Sequence, residues 1–186
     1  MRQILVLATL LLLSGELLAN TSERLREANF AAQHTLSEAS LERKNQSVLT
    51  YLWVDVYAAA FYAPAQTSAS QAFSRPLKQR LELYYFRNIA REDVIKAAWT
   101  TLNRQHSPAT LARLRNELDA LHDKFQDIQP GDRYALNFAP ESGLSLERNG
   151  QIAFTSQDPE LARAYLGIWL APNGLSDTLR NQLLAR

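Results

Sequence analysis

The stretch from Val48 to Tyr62, V-L-T-Y-L-W-V-D-V-Y-A-A-A-F-Y, constrains this chain more than any other. It holds no lysine, arginine, glycine or proline and a single acid, Asp55, within a dense run of β-branched and aromatic residues. That composition predicts one long buried β-strand. Alternation along a strand places Leu49, Tyr51, Trp53, Asp55 and Tyr57 on one face and Thr50, Leu52, Val54 and Val56 on the other. The second face is aliphatic and suits a covering layer of helices. The first mixes large aromatics with a carboxylate and could line a pocket.

Around this stretch the pattern changes type twice. Ser22 can cap a short helix through Leu25, Ala28 and Phe30, and Leu36, Glu38 and Leu41 can begin a strand. Leu77 to Asn88 alternates, with Leu77, Gln79, Leu81, Leu83 and Tyr85 on one face and Lys78, Arg80, Glu82, Tyr84 and Phe86 on the other. Two helices follow. Glu92 and Asp93 sit where a helix dipole favours acids, ahead of Ile95, Ala98, Trp99 and Leu102. Ser107-Pro108 then offers a capping hydroxyl with proline at the first helical position, and Leu111, Leu114, Leu118, Leu121 and Phe125 form one apolar stripe. Strands return at Arg133 to Phe138, Leu144 to Arg148 and Gln151 to Thr155, the last two joined by the hairpin signal Asn149-Gly150. Asp158-Pro159 opens another helix carrying Tyr165, Ile168 and Trp169, and Ser176 caps a final one. The sum predicts an α+β fold, an antiparallel sheet with helices on one face.

The first residues read differently. Met1-Arg2, an apolar run from Ile4 to Leu13 and the exit at Ala19 have the form of a secretory signal peptide, and the run is about half the ~20 residues needed to span a bilayer. Cleavage near Ala19 would leave 186 − 19 = 167 residues, enough for one domain with a proper core. The expected organisation is a signal peptide over 1–19, an N-terminal extension over 20–40 and a domain over 41–186, with a periplasmic or secreted product and no permanent membrane anchor. Twenty basic residues against 19 acidic, interspersed, lend no support to nucleic-acid binding.

Recognisable chemistry is sparse. His34, His106 and His122 lie far apart at no metal-ligand spacing, and His122, beside Asp123, reads as a partly exposed surface residue. No nucleophile elbow, phosphate loop or dinucleotide fingerprint occurs, so neither a metal nor a cofactor is expected. What remains is an aromatic cluster, Tyr51, Trp53, Tyr57, Tyr62, Tyr84, Tyr85 and Phe86, with Asp55 and Arg87 nearby. It reads either as core packing or as an apolar cleft with a few polar groups.

Five motifs in order bear on that choice: W-V-D-V-Y-A-A-A-F-Y-A-P, L-E-L-Y-Y-F-R-N-I, I-Q-P-G-D-R-Y-A-L, E-R-N-G-Q-I, and Y-L-G-I-W-L-A-P with its closing L-R-N-Q-L-L. Together, from about Leu41 to Ala185, they resemble the exported bacterial branch of the chalcone isomerase-like family. The resemblance implies an open-faced β-sandwich, a large antiparallel sheet carrying a layer of helices, with a ligand cleft between them. In the plant isomerases an arginine and a threonine hold and polarise the substrate, an electrostatic task that apolar groups cannot perform. The threonine position, five before Tyr57, falls on Leu52. The stretch matching the glycine-rich run that carries the arginine is Asn45-Gln46-Ser47-Val48-Leu49, with Arg43 and Lys44 upstream. Other members of the fold bind fatty acids without catalysis. The resemblance therefore implies a non-catalytic domain that binds a hydrophobic small molecule, a fatty acid or similar, with Trp53, Tyr57, Tyr62, Tyr85 and Arg87 as lining residues. An isomerase or lyase acting on an enone, and an envelope interaction module with a cleft plugged by Trp53 and Tyr57, are the alternatives.

Overall fold

The computed structural model describes residues 21–185; the expected signal peptide and its cleavage point lie outside them. Residues 21–28 are helical (α1) and lead into strands β1 (Gln33–Leu36), β2 (Ala39–Tyr51) and β3 (Val54–Pro64). Helix α2 (Ala69–Ser74) precedes β4 (Gln79–Tyr85), and the pair α3 (Arg91–Gln105) and α4 (Pro108–His122) separates β4 from β5 (Arg133–Ala139). Strands β6 (Gly143–Arg148) and β7 (Gln151–Ser156) and helices α5 (Pro159–Leu170) and α6 (Asp177–Leu183) complete the order. All seven strands form one antiparallel sheet in sequence order, β1 to β7.

The expected single strand over Val48 to Tyr62 is instead a hairpin. Tyr51 pairs with Val54, and Leu52 and Trp53 form the two-residue turn between them, with φ of +47° and +63°. Both residues lie in the left-handed region, as a type I′ turn requires, where asparagine and glycine are the usual occupants. Leu-Trp carries no turn signal, so the apolar pattern runs unbroken through the reversal. The Asn149-Gly150 turn has the same geometry, φ +50° and +79°, with the expected residues.

A bulge follows the turn. Leu49 pairs with Tyr57 but Thr50 with Asp55, leaving Val56 without a ladder partner. The extra residue resets the alternation, so Asp55 and Tyr57 point to opposite faces. Along β4 there is no such interruption. Leu81, Leu83 and Tyr85 enter the main core, and Arg80, Glu82 and Tyr84 face the other way.

The helix starts follow from capping chemistry. Ser107, Asp158 and Ser176 each accept backbone N–H bonds at the beginnings of α4, α5 and α6, with Pro108 and Pro159 at the first helical positions. Leu111, Leu114, Leu118 and Leu121 form the buried stripe of α4. Helix α5 is buried nearly all round, from Leu161 and Ala162 to Leu170, and is the centre of the helical layer.

The opposite face of the sheet is also covered. Ala28 and Phe30 from α1 and the residues after it pack on Leu41, Ala58, Ala60, Tyr62 and Phe86 as a second core. Beside that core lies a charge lattice. Arg80, 6% exposed, bonds Glu82 at 3.2 Å, Glu147 at 2.8 Å and Asn137 at 2.8 Å, while Arg133 bonds Glu82 at 2.7 Å and the Ala28 carbonyl. The buried Arg80 and the half-buried Arg133 thus meet carboxylates with good geometry, the condition for keeping charge in an interior.

Candidate functional site

Between β2, β3 and β4 on one side and α3 and α5 on the other lies a cavity of about 410 Å³. Its sheet wall is Leu49, Val56, Tyr57 and Tyr85; the Val56 bulge lets two consecutive residues of β3 contribute. Helix α3 roofs it with Val94, Ala97 and Ala98, and α5 adds Tyr165, Ile168 and Trp169. Tyr57, Tyr85, Tyr165 and Trp169 are buried and, with Ile168, form a largely aromatic floor, whereas Thr50, Tyr51 and Asp93 are exposed and form the rim. The volume falls in the ~300–1,000 Å³ range of small-molecule sites, and the mostly apolar lining with a few polar groups has their usual make-up.

The floor is held by its own contacts. The Trp169 indole N–H donates to the Tyr57 hydroxyl at 3.0 Å. The rings of Tyr57 and Tyr85 are 5.3 Å apart, those of Tyr85 and Tyr134 6.1 Å, and those of Tyr165 and Trp169 6.3 Å. Burial pushes the pKa values of the Tyr57, Tyr85 and Tyr165 phenols far above the ordinary value, so all three remain protonated at physiological pH. Because Tyr57 already accepts from Trp169, its own proton is available to donate. No hydrogen bond from the described residues reaches the hydroxyls of Tyr85 or Tyr165. The cavity therefore presents hydrogen-bond donors against an apolar wall.

Of the five residues expected to line a cleft, Tyr57 and Tyr85 do so. Trp53 does not: it is 92% exposed in the β2–β3 turn, and it plugs nothing. Tyr62 is an odd number of residues from Tyr57 and so faces α1, where its hydroxyl donates to the Ala31 carbonyl at 3.1 Å and burial pushes its pKa up to about 12. Arg87 is exposed beyond the end of β4 and is not part of the wall. Asp55, expected beside Tyr57, is turned by the bulge to the α1 side, where it accepts from Thr50 Oγ1 at 2.7 Å and pairs with Arg24 at 3.2 Å. The lining residues from α3 and α5 were not legible as site residues. Their one signal was that α5 carries apolar residues on every side, more than a helix with one core-facing stripe requires.

His122 also departs from expectation. It is 3% exposed, with Trp99, Phe125 and Tyr165 around its ring at 5.5, 6.4 and 5.7 Å, and neither ring nitrogen is hydrogen-bonded. Helix α4 packs its His122 face inward, towards α3 and α5, rather than towards water. Desolvation holds its pKa down to about 4.

Two other hollows are less suited to an apolar ligand. One of about 190 Å³ lies between α2 and α5, flanked by Arg75 and Arg163. The other, about 440 Å³, is a surface groove beside α1 edged by Arg26, Asn29, Arg43 and Gln46. Among the described residues no group of three or more histidines or acids could hold a metal ion, and no helix is long and apolar enough to cross a membrane.

Sheet, helical layer and intervening cavity together define a domain of the open-faced sandwich class with a ligand-sized space beneath its helices. The chalcone isomerase-like family model matches residues 22–185, and the chain belongs to that family. Among solved structures it is similar to a fatty-acid binding protein of Arabidopsis thaliana, with a TM-score of 0.59 over 83% of this chain and 90% of that one, at 15% identity. At that identity the likeness speaks to the fold alone. No curated protein matches the chain.

Proposed function

We propose that this protein is an exported, non-catalytic member of its family that binds an apolar small molecule in the cavity between β3 and α5. The observation that carries the reading is the cavity itself, about 410 Å³ with a buried aromatic floor and an exposed rim. A lipid-like ligand would bury its apolar body there, each methylene worth about 0.8 kcal/mol on leaving water. The fatty-acid binding neighbour is compatible with such a use of the fold.

The non-catalytic part rests on what stands at the positions matched to the isomerases' polar groups. Leu52, at the threonine position, is 67% exposed in the hairpin turn and outside the cavity wall. Leu49, at the arginine position, faces the cavity as an aliphatic group. Arg43 bonds the Phe30 carbonyl and Lys44 the Ala65 carbonyl, so both upstream bases are engaged elsewhere. Export rests on the N-terminal run from Ile4 to Leu13.

The test is native mass spectrometry of protein purified from its own host, followed by binding assays with fatty acids, fatty alcohols and flavonoids and a chalcone-absorbance assay. A co-purified or added apolar ligand bound one to one, with no loss of chalcone absorbance, is expected. Absence of any such ligand, or turnover of chalcone, would overturn the reading.

A further inference from the structure

Resting on that reading, the cavity's chemistry narrows the ligand. We infer that the site selects an uncharged ligand, an apolar body bearing a hydroxyl, ester or carbonyl oxygen, over the free carboxylate of a fatty acid.

Three observations support this. First, none of the described residues lining the cavity is a lysine, arginine or histidine. A carboxylate drawn into an apolar space without a cation loses its hydration and gains no ion pair, and that cost is large compared with a typical ligand contact. Second, among the described residues the one charged residue on the wall is Asp93, exposed at the rim, and it would repel an entering anion. Third, the floor supplies neutral donors. Tyr57, fixed by the indole of Trp169 at 3.0 Å, keeps a proton to give, and the hydroxyls of Tyr85 and Tyr165 are without partners among the described residues. A single phenol donor satisfies a neutral oxygen, whereas a carboxylate needs several charge-assisted bonds to offset its desolvation.

The nearby bases do not change the balance. Arg24 is engaged with Glu27 and Asp55, Arg104 with the Gly174 carbonyl and Arg180 with the Leu170 carbonyl. Arg87 is exposed beyond β4 and absent from the wall.

The inference is tested with a matched pair of equal chain length, laurate and 1-monolaurin, titrated calorimetrically into the full chain at pH 8. Monolaurin should bind more tightly by about tenfold or more. Asp93→Asn should narrow the preference, raising laurate affinity several-fold relative to that of monolaurin. Tyr57→Phe should weaken monolaurin several-fold more than it weakens the oxygen-free dodecane, a difference that general damage to the cavity would not give. Equal or tighter binding of laurate overturns the inference and leaves the apolar-ligand reading standing; if Arg87→Ala then abolishes laurate binding, Arg87 is the anion anchor. Binding of none of the three ligands overturns both.

Discussion

Replacing Leu52 and Trp53 together, as Leu52→Asn/Trp53→Gly, should make the protein more stable although it deletes two large apolar side chains. Both residues hold positive φ, +47° and +63°. For an L-residue with a bulky side chain that region costs about 1 kcal/mol or more each. Asparagine and glycine occupy it at little cost and are the preferred pair for this turn. The side chains removed are 67% and 92% exposed, so little buried apolar area is forfeited. Glycine's freedom in the unfolded chain returns about 0.5–1 kcal/mol of the gain. The net is roughly 1 kcal/mol, which for a domain of this size raises Tm by about 2–4 °C. Thermal unfolding followed by circular dichroism reads it directly. Ligand affinity should not change, because neither residue belongs to the cavity wall. A Tm lowered by several degrees would show that Leu52 and Trp53 make contacts the exposed turn does not provide, and would refute the reasoning.

Three further outcomes follow from particular residues. Arg80→Ala strips Glu147 of its guanidinium and leaves Glu82 with Arg133 alone in a partly buried lattice, and should cost about 3 kcal/mol, read by urea unfolding. Gly143 has φ of +75° and an added Cβ would lie 2.1 Å from the Ser156 carbonyl oxygen, so Gly143→Ala should destabilise by about 2 kcal/mol or more and loosen the β6–β7 pairing. His122 is neutral in the folded state down to about pH 4 but takes a proton near 6.5 when unfolded. Its contribution is therefore complete above pH 6.5 and is lost as pH falls towards 4, on the order of 3 kcal/mol in all. His122→Phe should flatten the pH dependence of stability over that window, and an unchanged slope would count against a buried neutral imidazole.

Much of the fold was legible because local signals agreed with the tertiary result. Ser107-Pro108, Asp158-Pro159 and Ser176 mark the starts of α4, α5 and α6, and the β4 alternation places Leu81, Leu83 and Tyr85 on the core side as found. The central hairpin was not legible, since Leu52-Trp53 reverses the chain with residues that ordinarily continue a strand. The Val56 bulge compounds this, because one unpaired residue reverses every later facing and sends Asp55 away from Tyr57. Only part of the candidate site could be read for the same reason. Tyr57 and Tyr85 lie side by side across paired strands, a juxtaposition their shared aromatic character hinted at. Trp169, which donates to Tyr57 from 112 positions away, carries no such hint, since sequence separation says nothing about which helix covers which strand. His122 looked like a surface residue because its neighbour Asp123 is charged, yet one position along a helix turns a side chain by about 100° and takes it from water into the core.

The central claim is that the space between β3 and α5 holds an apolar guest, and filling that space tests it most directly. Ala98, 5% exposed on the roof, can be enlarged as Ala98→Phe, and the neutral probe N-phenyl-1-naphthylamine titrated into both proteins by fluorescence. One saturable site in the native chain, lost in the variant at an unchanged circular-dichroism spectrum, is expected. Equal probe binding by both proteins, or none by the native chain, would contradict the account.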